Sequence, residues 1–119
     1  MTIGYKLDLG ARLALIEEFE PRYGHVVADH VTLRAGEDAD PVPEPIGQAE
    51  IVGHADDGDG VEAYVVAIDG STQRPDGGTW HITWSLAPGR SARESNDVIA
   101  ERGWTPMAPH ALLIYPARW

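Results

Sequence analysis

Two short stretches hold residues whose types and spacing suit proton transfer beside an anion. In Thr79-Trp80-His81-Ile82-Thr83-Trp84-Ser85-Leu86, aromatic and β-branched residues run between Gly77-Gly78 and Pro88-Gly89, the pattern of a strand. Alternate residues of a strand share a face. His81, Thr83 and Ser85 are therefore expected on one face, with Trp80, Ile82, Trp84 and Leu86 on the other. Asp29-His30-Val31-Thr32-Leu33 repeats the arrangement. His30, Thr32 and Arg34 alternate with Val31 and Leu33. An imidazole with a hydroxyl two residues on can grip a phosphoryl oxygen and move a proton at the same place. Two such pairs could divide the work of phosphodiester cleavage. Imidazole titrates near pH 6.5, so one ring can accept a proton from water while the other delivers one to the departing oxygen. The two threonine hydroxyls would donate to the equatorial oxygens. Arg34 and Ser85 could add phosphate contacts, and Tyr5 or Trp80 could stack on a base.

The elements that must position these groups follow in order. Thr2 to Leu9 alternates as a half-buried strand. Ala11 to Phe19 is an amphipathic helix with Leu13, Ile16 and Phe19 on its apolar face, and Pro21 ends it. Val26 to Leu33 is the strand of the first motif. Ala35 to Pro45, with Gly36, three prolines and several acids, reads as a surface crossover standing where a lid could also stand. Gln48–His54 and Val61–Asp69 are strands joined by an Asp-Gly-rich hairpin turn. After the second motif, Ser91 with Glu94 predicts a capping box opening a helix through Arg102, with Gly103 as its stop. Trp104 to Pro109 reads as irregular, and Ala111 to Tyr115 as a last strand. Arg90 and Arg93 flank the second motif, as salt-bridge partners of nearby acids or as phosphate ligands. His25, His54 and His110 sit in no such pattern and are expected at the surface or at caps.

Composition limits what such a site could serve. The chain has 119 residues, enough for one domain over 1–119 that buries roughly two-thirds of its unfolded surface. The absence of cysteine rules out disulfides and thiolate metal sites. The acids and histidines show no ligand spacing, so no metal or cofactor is expected. No apolar run approaches a membrane span, and no signal segment opens the chain, so the cytosol is the expected compartment. Net charge is −10, and eight of the 19 acidic residues fall between Glu37 and Asp59. Such a surface repels long duplex nucleic acid, which binds through basic contacts to phosphate. A small nucleotide in a local basic pocket is not disfavoured.

The paired His-x-Thr motifs resemble those of the two-histidine phosphoesterase superfamily. His81-Ile82-Thr83, then Gly89, then Ser95-Asn96 with Val98-Ile99 behind, is similar to the cyclic phosphodiesterase part of tRNA ligases. The resemblance implies an α+β fold in which two lobes of antiparallel sheet enclose a central cleft with helices outside. It implies that His30, Thr32, His81 and Thr83 are catalytic. It further implies metal-independent hydrolysis of an RNA 2′,3′-cyclic phosphate end, or of a small cyclic or linear nucleotide. A nucleotide-binding sponge or sensor using the same cleft is the alternative.

Overall fold

A computed structural model describes residues 1–119. Strand β1 (Thr2–Leu7), helix α1 (Leu9–Glu18), the short strand β2 (His25–Val26) and β3 (His30–Ala35) form the first half. Then come β4 (Ala49–Asp56), β5 (Val61–Ile68), β6 (His81–Leu86), α2 (Glu94–Arg102), β7 (Thr105–Ala111) and β8 (Ile114–Arg118). The strands make two antiparallel sheets, ordered β3-β1-β8 and β2-β6-β5-β4-β7. The fold is α+β. Neither helix is long and apolar enough to cross a membrane.

Every residue of β5 is buried, because both faces of the larger sheet are covered. One face presents Tyr64, Val66, Ile82 and Trp84 to Tyr5, Leu7 and Val31 of the smaller sheet and to Leu15 of α1. The other face presents Val61, Ala63 and Val65 to Val98 and Ile99 of α2. Helix α1 is capped by Asp8, whose carboxylate accepts from the Ala11 N–H at 3.0 Å. It turns Leu15, Ile16 and Phe19 inward, while Leu13, expected on that face, is exposed.

Three elements differ from expectation. The strand expected over Val26–Leu33 breaks at Ala28, whose φ is 38°. Up to that point it pairs with β6: the Val27 N–H donates to the Trp84 carbonyl at 2.9 Å, and that of Ala28 to Thr83 at 3.0 Å. It then crosses to pair with β1. Arg12 of α1 holds the break, donating from Nε to the Ala28 carbonyl (2.7 Å) and from Nη2 to that of Val27 (3.1 Å). Second, Trp104–Pro109 is not irregular but largely β7, which tolerates Pro106 and Pro109 because it is an edge strand. Third, a turn over residues 91–93 precedes α2. Half of the capping box forms, as the Glu94 carboxylate accepts from the Ser91 N–H at 2.7 Å, but no side chain caps the helix itself. The crossover at Ala28 matters most. Past the end of β2, β3 runs beside β6 with Cα atoms within 8 Å, which sets the two motif strands side by side.

Candidate active site

A pocket of about 460 Å³ opens where β3 and β6 meet. His30 and Thr32 line it from β3, and His81 and Thr83 from β6. All four sequence-predicted catalytic residues therefore share one cavity. Arg34 lines it too, with its guanidinium 3.3 Å from Asp40. Of the segment Ala35–Pro45 only Ala35, the last residue of β3, does. The rest of that loop is fastened by Arg34 on the Asp40 carboxylate, by Arg118 on the Asp40 carbonyl, and by Tyr5 on the Glu44 carbonyl.

His81 is 8% exposed. Its Nδ1 lies 2.8 Å from the Thr79 carbonyl oxygen. A carbonyl only accepts, so Nδ1 carries a proton and the neutral ring keeps its lone pair on Nε2. Burial pushes the His81 pKa below the ordinary imidazole value. The charges of Arg74 and His30 push the same way, and outweigh the Thr79 bond that opposes them.

His30 sits in a different environment. Its Nδ1 is 3.1 Å from Asp29 Oδ2, which also receives Lys6 Nζ at 2.5 Å. Its ring packs against Trp119 with centroids 4.8 Å apart, and Lys6 Nζ lies 4.9 Å from the same indole. Burial works to raise the Asp29 carboxyl, but bonds from Lys6 and His30 outweigh it and hold Asp29 below the usual carboxylate range. One histidine is thus buried near positive charge, while the other has a carboxylate at its back.

Thr83 is tied to the approach of α2. Its hydroxyl donates to the Ala92 carbonyl at 3.1 Å and meets the Ser95 hydroxyl at 2.9 Å. With its single proton on Ala92, Thr83 accepts from Ser95. It can offer that proton to a phosphate oxygen only by turning away from Ala92. Ser95 thereby locks the second motif to the helix.

Three further expectations are corrected. Ser85 does not share the face of His81 and Thr83. Thr83 pairs with Ala63 but Ser85 pairs with Glu62, so two residues of β6 pass for one of β5. This bulge turns Ser85 to the opposite face, where it is fully buried and donates to Glu62 at 2.7 Å. The same slip carries Leu86 into the core beneath α2. Tyr5 and Trp80 are both core residues, at 5% and 6% exposure, in edge-to-face contact with centroids 6.2 Å apart. Neither lines the pocket or offers a face to a base. His54, expected at the surface, instead bonds buried Glu62 at 2.9 Å.

The pocket gains one basic residue that no motif announced and keeps one of the two arginines that flank the second motif. Arg74, from the β5–β6 loop, lines it with its side chain 11% exposed, pairing with Asp76 at 2.8 Å and with Asn96 Oδ1 at 3.2 Å. Arg93 lines it as well, whereas Arg90 is spent on Asp57 and Glu94. The only signal for Arg74 was its being the first basic residue after Arg34. No group of three or more His, Cys, Asp or Glu side chains is placed to hold a metal ion.

Comparison with protein-family models, with curated proteins and with solved structures gives no significant match.

Proposed function

We propose that the pocket hydrolyses a phosphodiester, either a 2′,3′-cyclic phosphate or a small cyclic or oligonucleotide diester, by two-histidine acid–base catalysis. The observation that carries this reading is convergence. Two His-x-Thr pairs distant in sequence, and three of the nine basic residues of a chain with net charge −10, line one cavity. Such a pocket concentrates positive potential against an otherwise repelling surface.

The environments suggest a division of labour. His81, neutral with its lone pair on Nε2, accepts a proton from water as the water oxygen bonds to phosphorus. His30, with the Asp29 carboxylate at its Nδ1, gives a proton to the sugar oxygen as the P–O bond breaks. Each ring then returns to its starting state by exchange with solvent. Thr32, Thr83 and Arg34 would meet the charge that builds on the equatorial oxygens. Since acid, base and donors all come from side chains, no cation is required in this scheme.

A second reading, a nucleotide-binding sponge or sensor, draws support from Thr83, whose proton is already committed to Ala92. One experiment separates the two. The protein is incubated in EDTA with a panel of 2′,3′-cyclic and 3′,5′-cyclic nucleotides and short RNAs ending in a 2′,3′-cyclic phosphate. Catalysis predicts linear product formation unaffected by the chelator. Binding without product favours the sponge. Turnover lost in EDTA and restored by a divalent ion would point to metal-assisted hydrolysis instead.

A further inference from the structure

The pocket holds more guanidinium groups than one phosphodiester needs. A diester is a monoanion, yet Arg34, Arg74 and Arg93 line the cavity beside two histidines, and Asp76 is the only acid among the lining residues. Arg34 is engaged by Asp40. Arg74 and Arg93 form a unit on the other wall, held by one residue. Asn96 accepts from Arg74 through Oδ1 at 3.2 Å and donates from Nδ2 to the Arg93 carbonyl at 3.0 Å. Asn96 thus fixes both the buried guanidinium and the backbone that carries the second.

Arg93 itself stands out. Lys6, Arg22, Arg34, Arg74 and Arg90 each pair with a carboxylate, and Arg12 and Arg118 are taken up by backbone carbonyls. Only Arg93 and Arg102 have neither, in a chain that has 19 acids to offer, and of these two only Arg93 lines the pocket. Arg74 gives Nε to Asp76 and Nη2 to Asn96 but keeps Nη1 free, and with the unpaired Arg93 guanidinium lining the same pocket it offers donors suited to a phosphate monoester.

We propose that Arg74 and Arg93, joined by Asn96, form a second phosphate subsite, so that the preferred substrate is a nucleoside phosphodiester bearing a further phosphate monoester. This rests on the phosphodiesterase reading and narrows its substrate class.

The test compares a nucleoside 2′,3′-cyclic phosphate with the same compound carrying a 5′-phosphate, for the parent and for Arg93→Gln. Arg93 is exposed and unpaired, so its replacement leaves the fold intact. The parent should favour the 5′-phosphorylated compound in kcat/KM by roughly tenfold or more, the scale of hydrogen bonds to a charged group. In Arg93→Gln that ratio should collapse toward one, mainly through KM. A parent ratio of one or below overturns the subsite, as does a ratio that survives the substitution. A fall in kcat/KM by the same factor for both compounds would assign Arg93 to the scissile phosphate and likewise overturn it. If the parent turns over neither compound, the phosphodiesterase reading fails. The dissociation constants of the same two compounds then decide the subsite by the same ratio.

Discussion

His30→Ala and His81→Ala should each lower kcat by about 10²–10⁴-fold, the usual worth of a positioned acid or base. The double variant should be little slower than the slower single, because acid and base act on one transition state and their losses do not add. Binding should persist, since the hydroxyls and arginines remain. His81 is buried, but its ring bonds only to the Thr79 carbonyl, and His30 lies at a half-exposed strand end. Neither replacement removes a large part of the core. The measurement is kcat for the two singles and the double, with a binding titration on each. Near-normal kcat in both singles would make these histidines ordinary strand residues.

Gly4→Ala should damage both stability and turnover, although Gly4 touches no substrate. It pairs with Thr32 across β1 and β3, at a bulge where the register shifts between Ile3 and Gly4. A Cβ at Gly4 would stand 2.3 Å from the Val31 carbonyl oxygen and 3.0 Å from the Leu33 nitrogen. Both are backbone atoms, so nothing can swing aside and β3 itself must move. Overpacking of this kind costs roughly 1–3 kcal/mol, occasionally more. A shift of about 1 Å in the strand carrying His30 and Thr32 is enough to cost ~10²-fold in rate. Denaturant unfolding and kcat together test this. A variant with parental stability and kcat would contradict the register between β1 and β3.

Much of this arrangement could be read from local pattern. The polar faces of the two motif strands, the Asp-Gly hairpin and the Gly103 stop all follow from spacing and turn chemistry. Bulges were not legible. The one in β6 depends on how Glu62 and Ser85 fit beside Tyr23, whose N–H donates to the Ser85 hydroxyl at 3.1 Å, and no period-2 rule contains that. Alternation puts Trp80 in the apolar set that fills the core, but that neither it nor Tyr5 is left a face for a base is hidden for a related reason. A sequence shows that an aromatic ring lies on a strand, but not that two sheets close over it. Arg74 and Asp29 entered the site through loop path and strand crossover, which depend on tertiary packing. The crossover at Ala28 was hidden as well, since Val26 to Leu33 has the composition of one continuous strand.

The division of roles between the two histidines is tested most directly by the pH dependence of kcat/KM on a 2′,3′-cyclic nucleotide, measured for the parent and both single variants. His81 must be neutral to act as base. Its pKa is lowered by burial first, then by Arg74 and His30, so activity should persist below the ordinary imidazole value of about 6.5 before falling on the acid side. The parent profile should be bell-shaped. The acid limb should vanish in His81→Ala, and the alkaline limb in His30→Ala. A profile in which both variants keep both limbs would contradict two-histidine catalysis in this pocket.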